Sequence, residues 1–221
     1  MQLEQLKGVF GSTTKALEIL YLNYNLKPVV RQGFYDNEIG RVKDFCRTHG
    51  LAYETAPYKV ILADKQKRYS DKGFKARVDD PRRGMFFIYI SKDERKATEA
   101  RIFEMKDNHK ELGLILGYPE CCVDFFVENW PERSQLDNSY VFPALKNTDG
   151  YKFPFYTNII KRSQDTTLLN HFPHSFKCEK SINMAKDRLK MLYELEARTA
   201  SELVHELKCR VRIGTRTIEF S

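Results

Sequence analysis

The chain has 221 residues, 42% hydrophobic and 13% aromatic, which is enough apolar side chain to bury a core without staples. Its net charge of +7 comes with apolar runs that recur along the whole length, which excludes a disordered chain. The longest of those runs, Met85–Ile90 and Leu112–Leu116, fall far short of the ~20 residues of a membrane span, which excludes a membrane helix.

In chain order, Ser12 or Thr13 is expected to cap a first helix lined by Ala16, Leu17, Leu20 and Tyr21. Asp36 is expected to cap a second, with Ile39, Val42, Phe45 and Cys46 at helical spacing and His49-Gly50 at its end. Cys46 reads as a small core residue. Strands are expected at Tyr58–Leu62 and Met85–Ile90, with Pro81–Gly84 as the turn that feeds the second. Ser91 and Glu94 have capping-box spacing, which predicts a helix from there to about Glu111, interrupted by Gly113 and Gly117. Tyr118-Pro119 should start the next helix, with Val123, Phe126 and Val127 buried and Trp130-Pro131 closing it.

Residues 131–176 lack clear periodicity and read as an ordered, irregular connection with short helical pieces, a length that is often functional. Ile182, Ala185, Leu189, Leu192 and Leu195 then define a helix from about Cys178, and Ser201 should cap a turn through Leu207. Alternation over Val211–Phe220 predicts a strand added to the sheet. The expected fold is a single α+β domain over residues 1–221, a small sheet with several packed helices.

The first residues show no basic segment followed by an apolar one, so no secretory signal is expected and the location reads as cytoplasmic, with no membrane partner. Thiols stay reduced there, and five cysteines, an odd number, do not form a disulfide framework.

Cys121 and Cys122 fall in the first turn of the helix after Pro119, where free N–H groups and the dipole favour thiolate. Adjacent helical residues point about 100° apart, so both sulfurs on one ion would require distorted geometry. Glu120 and Asp124 beside them oppose thiolate formation, or serve as a base. His171, His174 and Cys178 lie at spacings of three and four. With Cys121 or Cys122 they can complete a four-ligand shell for zinc, or hold an iron centre. A nucleophilic cysteine with a histidine base fits the same residue types. The competing reading is packing and hydrogen bonding, which is also the reading for His49, His109, His205 and Cys209.

The segment around residues 61–85 carries an excess of bases, whereas residues 86–135 carry an excess of acids. Lys65, Lys67, Arg68, Lys72, Lys75, Arg77, Arg82 and Arg83 are mixed with Tyr69 and Phe74. Such a mixture suits phosphates and bases, so nucleic acid is an alternative partner; a solvated edge hairpin is the plainer reading. The aromatic run Tyr151–Tyr156 reads as core. No phosphate-binding glycine loop, dinucleotide fingerprint or nucleophile elbow is present in the sequence. The chain therefore reads as a Cys/His-centred protein that binds zinc or an iron centre, catalytic if a coordination position stays open. The alternatives are a nucleic-acid-binding protein and a structural or partner-binding protein with inert cysteines. A small-molecule substrate and the oligomeric state are not set by the sequence.

Three segments together resemble domain-of-unknown-function family four-eight-three, met in archaea and some bacteria. They are Tyr89-Ile-Ser-Lys-Asp-Glu94, Leu116-Gly-Tyr-Pro-Glu-Cys-Cys-Val-Asp-Phe-Phe126 and His171-Phe-Pro-His-Ser-Phe-Lys-Cys178. The resemblance spans roughly residues 35–195 and implies no activity. It implies that the position of His174 is commonly cysteine, so that this chain exchanges a sulfur for an imidazole. That exchange keeps a zinc site and weakens the case for an all-cysteine iron–sulfur cluster.

Overall fold

The computed structural model describes residues 2–62 and 72–221. The fold is mixed α+β, and by internal contacts the chain divides between Ser139 and Tyr140 into two compact units.

The first unit holds α1 (Leu3–Phe10), α2 (Thr13–Asn23), β1 (Val29–Tyr35), α3 (Asp36–Thr48), β2 (Ala52–Thr55), β3 (Lys59–Leu62), β4 (Gly73–Ala76), β5 (Met85–Ser91), α4 (Glu94–Met105), α5 (His109–Ile115) and α6 (Glu120–Arg133). Its five strands form an antiparallel sheet around β5. β1 pairs with the whole of β5, from Val29 opposite Ser91 to Tyr35 opposite Met85. β2 takes the C-terminal half of the other edge, β3 meets β5 at Met85, and β4 folds back on β3.

The period-2 alternation of strands sorts these residues onto two faces. Val30, Phe34, Phe86, Ile88 and Ile90 are buried on one, where the Phe10 ring lies 6.0 Å from Phe34 and 5.2 Å from Phe45. On the other, Val29 and Tyr89 join Ala56, Ala100, Leu112 and Leu116 in one apolar cluster. A buried ion pair closes that end. Lys27 Nζ lies 3.1 Å from Glu18, donates to the Leu116 carbonyl at 3.2 Å and sits over the Tyr118 ring.

Ser12 caps α2 by accepting from the Lys15 N–H at 3.2 Å, as expected. α3 begins on Asp36 itself, and Glu38 reaches back to the Tyr35 N–H. Cys46 is fully buried, and burial pushes its thiol up to about 12. Other expectations shift. The cap of α4 is Asp93, which accepts from the N–H groups of Arg95 and Lys96. Ser91 ends β5 instead, donating to the Pro28 carbonyl at 2.9 Å. The expected helix to Glu111 breaks at Asp107, which has a positive φ, and Asn108 then caps α5, with Gly113 inside it. α6 runs through Pro131 to Arg133, and Val127 is exposed while Phe125 is buried. α1, β1 and β2 are elements not expected from the sequence.

The second unit holds α7 (Val141–Lys146), β6 (Lys152–Phe153), two 3₁₀ turns (Phe155–Thr157 and Ile160–Gln164), α8 (Glu179–Leu195), α9 (Ala197–Leu207), β7 (Arg210–Ile213) and β8 (Arg216–Phe220). The C-terminal alternation makes a hairpin turned at Gly214, and β6 adds parallel to β8. These strands form their own three-stranded sheet rather than extending the first. Phe153, Phe176 and Phe220 pack their rings 5.3–5.9 Å apart at its centre. Ser201 lies inside α9, where its hydroxyl donates to the Ala197 carbonyl at 2.9 Å. Among the described residues no helix is long and apolar enough to cross a membrane.

Candidate metal centre

The cysteine pair is placed by the stop of one helix and the start of the next. α5 ends in a glycine-terminated motif: Gly117 adopts φ +80, its N–H donates to Leu114 at 2.9 Å, and the Tyr118 N–H donates to Gly113 at 3.1 Å. Only glycine fits, because a Cβ at 117 would stand 2.6 Å from Pro28 Cδ. Pro119, at φ −57 and ψ 131, is the N-cap of α6, and its carbonyl accepts from the N–H groups of Cys122 and Val123. Cys121 and Cys122 therefore occupy the second and third helical positions, in the turn whose N–H groups favour negative charge. Their sulfurs are 4.0 Å apart. The divergence expected of adjacent helical residues is thus overcome by side-chain rotation. Cys122 is buried and Cys121 half-buried. Glu120 is exposed, and Asp124 pairs with Lys110 at 2.9 Å.

The second segment is an irregular loop leading into α8, held by hydroxyls of its own unit. Thr148 Oγ1 accepts from the Phe176 N–H at 2.9 Å, donates to Ala144 at 2.7 Å and meets Ser175 Oγ at 3.0 Å. Thr157 donates to the Phe176 carbonyl at 2.7 Å, and Asn147 donates to the His174 carbonyl at 3.2 Å. The Cys178 N–H donates to Ser175, and Cys178 is the buried N-cap residue of α8. His171 Nε2 lies 2.9 Å from Ser181 Oγ, and both side chains are buried.

One ligand atom from each of Cys121, Cys122, His174 and Cys178 lies within 4.8 Å of every other, a group that can hold a metal ion; His171 is outside it. Three sulfurs and an imidazole match the donors of tetrahedral zinc. Two thiolates at about 2.3 Å from one ion stand ~3.8 Å apart in a tetrahedron, close to the 4.0 Å between Cys121 and Cys122.

Among the described residues, three cations of the basic segment meet carboxylates. Lys75 pairs with Asp107 at 2.6 Å, Arg77 with Asp79 and Arg82 with Asp80, and Lys72 donates to the Gln135 carbonyl. Phe74 is exposed beneath the Arg82 guanidinium. The Arg83 guanidinium lies over the Tyr35 ring, 4.0 Å from its centroid. Lys65, Lys67, Arg68 and Tyr69 lie outside the described residues. Within the aromatic run, Phe153 and Phe155 are buried and Tyr151 is exposed.

Sequence reasoning passed over the polar network under the sheet, in which Arg31 and Tyr89 converge on Glu104. Its only sequence signal is a lone arginine in the apolar run of β1. The His109 ring lies tilted against Trp130 with centroids 4.2 Å apart, and burial lowers its pKa against the pull of Asp107 and Glu104.

Residues 90–208 match the model of the family described as Protein of unknown function (DUF483), which is more than half of the chain, and the chain belongs to that family. No curated protein and no solved structure matches it.

Proposed function

We propose that this member of the family is a zinc protein whose ion is held by Cys121, Cys122, His174 and Cys178 and serves to stabilise the fold. The observation that carries the reading is the approach of those four ligand atoms to within 4.8 Å of one another. Four protein donors complete the shell of a structural zinc site, whereas catalytic sites keep a position open. In that reading the cysteines are ligands rather than nucleophiles, and Glu120 and Asp124 are surface charges of α6. The imidazole in place of a fourth sulfur favours zinc over an iron–sulfur cluster, whose usual ligands are thiolates. Bound zinc would hold the three thiols deprotonated and add its binding free energy to folding.

The test is elemental analysis and an absorption spectrum of anaerobically purified protein, comparing wild type with a Cys122→Ser, Cys178→Ser double variant. Near-stoichiometric zinc in a colourless wild type, lost in the variant together with thermal stability, is the expected result. Iron with visible absorption would replace the zinc reading, and a metal-free wild type as stable as the variant would overturn metal binding altogether.

A further inference from the structure

Alternation and register send Arg31, Gly33 and Tyr35 of β1 and Met85, Phe87 and Tyr89 of β5 to one face of the sheet. The Tyr89 end is sealed in the apolar cluster with α4 and α5 residues. The opposite end is half open: Gly33, Tyr35, Met85 and Phe87 are all partly exposed. Two guanidinium groups lie over rings there, Arg31 over Phe87 at 3.6 Å and Arg83 over Tyr35 at 4.0 Å from the ring centroid. Gly33 leaves the surface level between them, since a Cβ there would already touch Met85 Sδ and Phe87 Cε1 at 3.4 Å. Arg83 is exposed and, among the described residues, has no carboxylate partner, unlike Arg77 and Arg82 beside it.

We propose that this half-face binds single-stranded nucleic acid, with bases stacked on the Tyr35–Arg83 and Phe87–Arg31 platforms and the backbone phosphate neutralised by Arg83. A guanidinium stacked on a ring is pre-oriented, offering one plane to a base and its N–H edge to a phosphate. Because Arg31 is held by Glu104, its contribution is the stacking surface, and Arg83 supplies a charge that no carboxylate among the described residues offsets. Paired bases inside a duplex do not present their planes to a sheet, so the surface selects single strands.

The test is fluorescence polarisation of the full chain with a labelled twelve-nucleotide single-stranded RNA, the same sequence as DNA, and the matching duplex, across a salt series. Wild type is expected to prefer the single strands. Tyr35→Ala should weaken binding by about tenfold through the lost stack. Arg83→Ala should weaken it and lower the salt slope by about one. Absence of binding at low salt, or binding that favours duplex or is unchanged in the variants, would overturn the proposal. Arg83 is exposed in the loop before β5, so its variant decides the matter even if Tyr35→Ala does not fold.

Discussion

Tyr89 donates its hydroxyl to Glu104 at 2.6 Å, so a central strand and the helix that covers it share one buried carboxylate. Arg31, from the neighbouring strand, grips the same carboxylate through two guanidinium nitrogens. The pleat dictates the meeting, because Arg31 and Tyr89 are register partners across the β1–β5 ladder. The carboxylate satisfies groups that the sheet would otherwise bury without partners.

Loss of the charge at Glu104 is therefore expected to cost much of the first unit's stability. Burial pushes the Glu104 pKa up, but Arg31 and the hydrogen bonds outweigh it and hold the group below the usual carboxylate range. A depressed folded pKa means stabilisation that is present above the unfolded pKa and lost as pH falls through the folded one. Glu104→Gln should cost about 3 kcal/mol at pH 7, the low end for breaking a buried pair, because Arg31 keeps 28% of its side chain in water. Urea unfolding of both proteins from pH 7 downward should show the difference shrinking below the ordinary carboxylate range. A constant difference would deny the charge its role.

Gly113 packs α5 against α6. A Cβ at 113 would fall 2.7 Å from Val123 Cγ2, closer than real contacts allow. Gly113→Ala should gain about 1 kcal/mol of helix propensity and lose ~1–3 kcal/mol to overpacking. The expected net effect is destabilising, with Val123→Ala partly rescuing it. Additive effects in the double-mutant cycle would show that the two residues do not press on each other.

The cysteine pair was legible in the sequence because the Gly-Tyr-Pro run specifies a helix stop and start by local rules. The same held for the cap at Ser12 and the burial of Cys46. What escaped was set by tertiary context. β1 buries one face fully and the other only in part, and Arg31, Gln32 and Gly33 interrupt its apolar residues, so its polarity does not alternate cleanly and it drew no expectation. Ser91 has the spacing of a cap, yet it is the last residue of the strand, the cap falls two residues later at Asp93, and the Ser91 hydroxyl is turned to Pro28. His171 and His174 are indistinguishable by residue type and spacing, and only the path of the loop gives one to Ser181 and the other to the sulfurs. The closeness of the Cys121 and Cys122 sulfurs depends on side-chain rotation, which the 100° helical step does not determine.

Cys46 should be inert in the folded protein. Burial pushes its thiol up to about 12, while the unfolded chain restores an ordinary value near 9. A raised folded pKa means stability that is full below the unfolded pKa and lost as pH climbs towards the folded one. Wild type should therefore lose stability between about pH 9 and 12 more steeply than Cys46→Ala, which itself should cost ~1 kcal/mol at pH 7. Alkylation by iodoacetamide, followed by mass spectrometry, should reach Cys46 only on unfolding.

Thr148 is the peg of the loop that carries His174. Thr148→Val preserves shape but leaves the Phe176 N–H without its acceptor, at a cost of about 1–3 kcal/mol. Hydrogen exchange should accelerate at residues 175–178 first, and zinc affinity should fall with it. Acceleration spread evenly over the second unit would mean that Thr148 supports the unit at large and not this loop.

His174→Cys separates ligand chemistry from loop geometry. Sulfur and imidazole both bind zinc, so the variant should keep a stoichiometric ion, whereas His174→Ala should bind it more weakly. Cobalt is the readout: it occupies similar sites, and its thiolate absorption should strengthen from wild type to His174→Cys. Identical spectra for wild type, His174→Cys and His174→Ala would remove His174 from the shell and leave a site of three sulfurs.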